Sequence, residues 1–463
     1  MEKDQQPKIG FTEGAIVLLI MLIILGTSVI GFKISPEVPV LFVIMLLIFW
    51  AKLRGFEWDS VNQGITNGIS SGIIPIFIFI LIGALISTWI KAGIIPSLMV
   101  IGFQMISSQW FLPSVFIVTS IVGAAIGSAF TVISTIGIAF MGMGITLGIN
   151  PAMVAGAVIS GAIFGDKTSP LSDSTNLASA VVGADLFTHI KNLMWSTIPA
   201  WITSFVVFMF IGRGHGQLHS ASIAKTIHIL NSTFSISLWA ILPIILMFAC
   251  AWKKIPAIPT LFINTFVAVI MIFIQKPSTK ISTITNTIFN GFVSHTGNKS
   301  VDALLSRGGI TSMMNTITLI ITALALGGLL MRFGVIDAVM KPLAAHLHST
   351  GTLILAVILS GIGVNLFVGE QYLSVILPGN AFKETFKKAG LAPVALSRAL
   401  EDGGTVINYL VPWGVAAVFT AGALQVPVID YLPFVIFSWA SPIFSVISGF
   451  TGWGIKRLNN SSK

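Results

Sequence analysis

Charge is scarce in this chain. Only 9% of its 463 residues are Asp, Glu, Lys or Arg, while 55% are hydrophobic and the mean hydropathy is +0.95. A soluble domain carries about 25% charged residues, so this chain has too little polar surface to stay dispersed in water. Cysteine is nearly absent too: Cys250 alone excludes an internal disulfide and a cysteine metal cluster. No GxxxxGK[ST] loop occurs, so a pump driven by a P-loop ATPase within the chain is not expected. There is no long hydrophilic segment to form a soluble catalytic or nucleotide-binding domain. No small-residue cleavage site follows the opening "MEKDQQPKIGFTEG", so the first apolar run reads as an uncleaved span.

What the chain has instead is long apolar runs. A spanning helix needs roughly 20 mostly apolar residues, and the runs near 15–30, 73–90, 238–251, 258–274 and 431–447 meet that need with their flanks. Gly and Pro inside such runs are typical of membrane helices, where neighbours re-satisfy freed backbone groups. The basic residues behind the net charge of +9 fall mainly in short connectors: Lys52 and Arg54, Lys253 and Lys254, Lys387 and Lys388, Lys456 and Arg457. That is the positive-inside pattern rather than a nucleic-acid footprint, and it puts both termini in the cytoplasm. The expectation is an all-α polytopic protein of a bacterial-type cell membrane, in contact with lipid, and not an enzyme.

The two halves of the chain echo one another. "KAGII" (91–95) closes one apolar helix and "RFGVI" (332–336) another. An interrupted Gly-rich stretch follows each, "GAAIGSAFTVISTIG" and "SGIGVNLFVGEQYLSVILPG". Then comes a polar cluster, "GDKTSPLSDSTN" (165–176) in the first half and "SRALEDGGTVINY" (397–409) in the second. On this alignment Asp166 matches Asp402. Matched interrupted segments point to a secondary transporter with two inverted-topology repeats, each holding a re-entrant hairpin and a discontinuous transmembrane helix. The expected boundaries are N-terminal helices over 1–59, repeats over 60–212 and 277–428, a linker with connecting helices over 213–276, and a last helix and tail over 429–463.

An Asp at the centre of a spanning helix costs about 2.5–3.5 kcal/mol on insertion scales, so the first cluster needs a reason. Gly165 and Pro170 predict an unwound stretch that frees carbonyls near Phe164. Those carbonyls, Asp166, Asp173 and the hydroxyls of Thr168, Ser169, Ser172 and Thr175 are hard oxygen donors suited to a small hard cation. A half-helix resuming near Asn176 would direct its positive end back at them. Two structural readings stand beside this one: Asp173 or Ser172 as a helix N-cap, and Lys167 paired with Asp166.

In the second cluster Glu401 and Asp402 diverge by about 100° on a helix. Gly403 and Gly404 permit unwinding, and Thr405 adds a hydroxyl. Arg398, three residues before Glu401, can face it on a helix, which leaves Asp402 as the free carboxylate. Asn365 and Glu370 in "VNLFVGEQY" mark the second hairpin tip, either as ion ligands and a proton acceptor or as a hydrogen bond across the hairpin. The first tip offers only Ser128, Thr131, Ser134 and Thr135. His215, His219, His228, His346 and His348 read as solvated, since no spacing resembles a zinc site. His189 and His295 lie closer to the polar clusters and are candidates for sensing pH.

These motifs, "GDKTSPLSDSTNLA", "GADLFTHIKN", "VSHTGNKSVDALLSRGG", "GEQYLSVILPG" and "SRALEDGGTV" with "LVPW", resemble the NhaC family of sodium/proton antiporters over nearly the whole chain. The tail "YLPFVIFSWASPIFSVISGFTG" is similar to that family's C-terminal segment. The resemblance implies the ion transporter group of folds and places Asp166, Asp173 and Asp402 in motifs associated with sodium coupling. Glu370 stands where relatives tend to read an aspartate. "INYLVPWG" stands where they tend to read "TSPLIPWN", so Asn408, Tyr409 and Gly414 alter the polarity beside Asp402. The family also includes malate/lactate exchangers and sodium-coupled amino-acid carriers.

Two readings result. One is a sodium/proton antiporter in which both ions compete for the same carboxylates, Asp402 among them. The other is a sodium- or proton-coupled carrier of a small organic anion or amino acid, for which Lys167 and Arg398 are the available cations. A channel or scaffold would not need paired broken helices. The expected partners are the sodium ion and the proton, with no cofactor and no nucleic acid; a homodimer is left open.

Overall fold

A computed structural model describes residues 7–105, 110–212, 220–253, 255–345, 347 and 349–458. His215, His219, His346 and His348 lie outside the described residues, as does part of the expected 213–276 linker. Regular structure among the described residues is helical, apart from an isolated bridge between Leu391 and Arg457. Seven helices are long and apolar enough to span a membrane, or ten if each bent pair is one span. The distribution of side chains suits lipid rather than water. Ile23, Phe49, Phe266 and Ile274 point outward, while Lys167, Asn365, Arg398, Glu401, Asp402 and Asn408 are buried. The spans Ala129–Thr146 and Ile310–Arg332 are mostly buried and form the centre; Leu186–Ile211 and Ala257–Gln275 are peripheral.

Helix boundaries recur at a fixed spacing. The first helix pair, Phe111–Ile126 and Ala129–Thr146, turns at Gly127; the second, Thr350–Val368 and Gln371–Lys388, turns at Gly369. Both glycines sit at φ 71°, the left-handed conformation that ends a helix. In each pair the next residue caps the second helix: Ser128 Oγ accepts from Thr131 N at 3.4 Å, and Glu370 Oε2 from Leu373 N at 2.8 Å. The first broken helix comprises Pro151–Thr168 and Asp173–Val182, and the second begins at Pro393–Leu400 and resumes at Val415–Leu424. Gly127 and Gly369, Pro151 and Pro393, Pro170 and Pro412, and Asp173 and Val415 are each 242 positions apart. The two breaks share a cause. A residue before proline is driven to extended backbone, and ψ is 131° at Ser169 and 113° at Val411.

This register corrects the sequence alignment: Asp166 falls opposite Asn408, not Asp402. Gly165 does not interrupt its helix, which continues to Thr168. The Thr168 hydroxyl donates to Phe164 O at 2.9 Å, so that carbonyl is not freed. Gly165 instead permits close packing, since a Cβ there would run into the backbone of Gly123 and Ala124. The helix resumes at Asp173 rather than near Asn176. His228 is exposed on the Ser220–Thr233 helix and not in a loop.

Candidate functional site

The breaks meet through one buried ion pair. Lys167 extends from the last turn of Pro151–Thr168, and its Nζ lies 2.5 Å from Asp402 Oδ1. It does not pair with Asp166 as the sequence suggested. Ser441, on the last helix Ile436–Thr451, joins both groups: its Oγ accepts from Lys167 at 2.8 Å and donates to Asp402 Oδ1 at 2.5 Å. Asp402 Oδ2 is buried without a partner. The Phe437 ring lies 5.7 Å from the ammonium and adds a weak cation–π contact.

Glu401 to Thr405 form a single π-helical turn, a local unwinding often found at functional sites. Thr405 donates its hydroxyl to Glu401 Oε2, while Oε1 is buried and unpartnered. Arg398 does not pair with Glu401. It turns the other way, donating to Ser448 Oγ at 2.7 Å and to Gly454 O at 3.3 Å. The sequence reading failed here because it considered only helical neighbours. Beside Arg398, His189 Nδ1 and the Ser397 hydroxyl share a hydrogen bond of 2.7 Å, and both residues are buried.

Asn365 and Asn408 tie the second helix pair to the second break. Asn365 Nδ2 donates to Gly404 O at 2.6 Å, Asn408 Nδ2 to Asn365 Oδ1 at 2.7 Å, and Ala416 N to Asn408 Oδ1 at 2.8 Å. Trp413 Nε1 donates to Leu366 O at 2.7 Å, and Val415 N to Gly369 O at 2.8 Å. Asn365 thus links Gly404 to Asn408. Glu370, buried at the turn, caps its own helix.

The first break is held by its own hydroxyls and amide. Thr175 Oγ1 donates to Lys167 O at 3.1 Å, and Asn176 Nδ2 to Ser172 O at 2.7 Å and Pro170 O at 3.0 Å. Ser172 and Ser174 share a 3.0 Å bond. The Asp166 carboxyl interacts with Ser172 and lies within electrostatic reach of Glu401 and Asp173. Pro170, Asp173 and Asn176 are exposed, whereas Lys167, Glu401 and Asp402 are sealed inside.

Sequence reasoning anticipated the last helix but missed its serine face. Ser438, Ser441, Ser445 and Ser448 recur three, four and three residues apart, which puts them on one helical face, and all four are buried. That stripe lies along the second broken helix: Ser438 donates to Val406 O at 2.6 Å, Ser441 holds Asp402 and Ser448 holds Arg398. The spacing alone would have revealed it.

Among the described residues no three His, Cys, Asp or Glu side chains converge as a metal site. The arrangement is a sealed ion pair with Glu401 beside it, and Asp166 and Asp173 flank the first break.

A model of the Na+/H+ antiporter family matches residues 9–175 and 161–453. The Na(+)/H(+) antiporter NhaC of Alkalihalophilus pseudofirmus is 39% identical, covering 98% of this chain and 98% of the relative. The arginine/ornithine antiporter ArcD of Halobacterium salinarum is 34% identical over 97% and 94%, and the malate-2H(+)/Na(+)-lactate antiporter of Bacillus subtilis 32% over 96% and 96%. With a family match and relatives that span nearly its full length, this multi-pass membrane protein belongs to the Na+/H+ antiporter family.

Proposed function

We propose that this chain exchanges sodium for protons through the carboxylates gathered where its two broken helices meet. The observation that carries this reading is the buried Lys167–Asp402 pair with Glu401 beside it. An ionised carboxylate in a low-dielectric interior needs a counter-charge or a proton. Lys167 serves Asp402, and among the described residues no cation forms an ion pair with Glu401. A proton or a sodium ion is then what neutralises Glu401. The unpartnered Glu401 Oε1 and Asp402 Oδ2, with the Thr405 hydroxyl, are the oxygens offered to sodium. As sodium arrives, a proton leaves, and Lys167 keeps the Ser441 hydroxyl as a partner.

Asp173 and Asp166 form the approach in this reading. An exposed aspartate is tolerated in a membrane protein where it faces water rather than hydrocarbon, so Asp173, Asn176 and Pro170 line the aqueous mouth. The 242-residue recurrence supports two repeats, over about 60–212 and 277–428, which we read as inverted, with the two turns at Gly127 and Gly369 as re-entrant tips.

Purified protein in proteoliposomes tests this directly. A sodium gradient should drive proton movement, Asp402→Asn and Glu401→Gln should abolish it, and Asp166→Asn or Asp173→Asn should weaken sodium affinity. Full exchange in Glu401→Gln and Asp402→Asn would overturn the proposal. The relatives named for malate, lactate, arginine and ornithine favour a second reading, coupled movement of an organic solute. Sodium flux that requires such a solute and moves no proton would select it.

A further inference from the structure

A second polar site lies away from the ion pair. The helix Ile281–Asn290 stops at Gly291, and the chain runs without helix to Asn298 before the short helix Lys299–Leu305 and the start of the central span at Ile310. This segment reaches membrane depth, because Gly309 N donates to Gly83 O at 2.7 Å, midway along the span Ile73–Lys91. Non-helical backbone at that depth is tolerated only where it is buried in protein or lines a water-filled cavity. A cavity is present. It measures about 320 Å³ and is lined by Arg307, Asn290, Ser306, Ser312, Gln425 and Ile86, among others. That is the lower end of the range for small-molecule pockets.

Arg307 is the charge in this cavity. Among the described residues no acid forms an ion pair with it. Asp302, in the same segment, is engaged by Thr296, whose N and Oγ1 donate at 2.6 and 2.8 Å. Arg307 Nε is buried with no hydrogen-bond partner, and Nη1 reaches Ala423 O only at 3.4 Å. A guanidinium placed simply to close the end of Val415–Leu424 would sit at an ordinary 2.7–3.2 Å. Ser312 and Met313 bring the positive end of the Ile310–Arg332 helix to the same wall. Both features favour an anion, and the planar fork of a guanidinium matches a carboxylate in two parallel hydrogen bonds, which a spherical ion cannot accept in that way.

We propose that this cavity binds the carboxylate of a small organic acid or amino acid, with Arg307 as its ligand. The site is independent of the sodium reading: it shares no residue with the Lys167–Asp402 centre. Titration calorimetry on the purified full chain, at fixed sodium, tests it with L-lactate, L-malate and L-arginine as probes and chloride as the spherical control. At least one carboxylate should bind, and equimolar chloride should not displace it. Arg307→Gln should weaken that binding about 30-fold or more, as expected when a buried charged partner is lost. Arg307→Lys should weaken it less, since the charge stays and only the fork goes. Sodium affinity should be unchanged in both, so a failed carboxylate site and a failed sodium site give different results. Should Arg307→Gln not fold, Ala303→Trp at the exposed rim fills the cavity without touching the charge and should abolish binding. Absence of binding by all three carboxylates, displacement by chloride, or undiminished binding in Arg307→Gln or Ala303→Trp would each overturn the proposal.

Discussion

Lys167 and Asp402 are 235 positions apart in the chain and 2.5 Å apart in the fold, each inside a broken helix and each sealed from solvent. Removing one partner of a buried pair leaves the other uncompensated, which costs about 3–5 kcal/mol; removing both can be nearly neutral. Lys167→Gln and Asp402→Asn should each lower the melting temperature sharply, and the double variant should recover most of the loss. Thermal unfolding of the three purified proteins measures this. Additive losses in the double variant would mean that the pair does not act as a unit.

Competition between protons and sodium has a defined pH signature. On the acidic side the buried carboxylates hold protons, and sodium must displace them. Its apparent affinity should therefore weaken about tenfold per pH unit for each proton displaced, and level off once the sites are ionised. Sodium binding measured across pH, with proton release followed in unbuffered solution, provides the check. A flat affinity without proton release would contradict exchange.

The serine stripe separates charge-linked from structural hydroxyls. Ser441 bonds to both members of the ion pair, and hydrogen bonds to charged groups contribute about 1.5–3 kcal/mol. Ser438 bonds only a backbone carbonyl, for which about 1 kcal/mol is typical. Ser441→Ala should cost more stability than Ser438→Ala and should also shift the pH dependence of sodium binding. Ser438→Ala should leave that profile in place. Equal effects on the profile would remove Ser441 from the site.

Glu370 caps its helix through one carboxylate oxygen, and a glutamine can accept the same bond from Leu373 N. Glu370→Gln should keep both fold and sodium affinity, whereas Glu370→Ala should cost about 1 kcal/mol as a lost cap. A tenfold loss of sodium affinity in Glu370→Gln would restore the ligand role suggested by its place at the tip.

Much of the architecture was legible from periodicity and from Gly and Pro positions, because a turn at Gly127 or a break before Pro170 has local causes. The alignment of the halves went astray because apolar sequence of low diversity tolerates a gap almost anywhere, and two aspartates made an attractive match. The turns at Gly127 and Gly369 fix the register and set Asp166 opposite Asn408. Partners at the site were harder to read. Arg398 and Glu401 satisfy the helical spacing for a pair, yet Arg398 bonds the tertiary neighbour Ser448, which spacing cannot reveal, and Glu401 bonds Thr405 one turn along its own helix. Ser441 was within reach of the sequence through its stripe, but Lys167 with Asp402 was not: no local rule joins residues that meet only when two helices pack.

That junction also bears on leakage. A carrier slips when it changes conformation empty and lets one ion run down its gradient unexchanged. In this fold, drawing the two broken helices apart without an exchanged ion would strand an ammonium and a carboxylate in a low-dielectric interior, at several kcal/mol for each charge. Under the proposed exchange, those charges would latch the idle protein, and the strength of the latch would set how rarely a cycle runs without cargo.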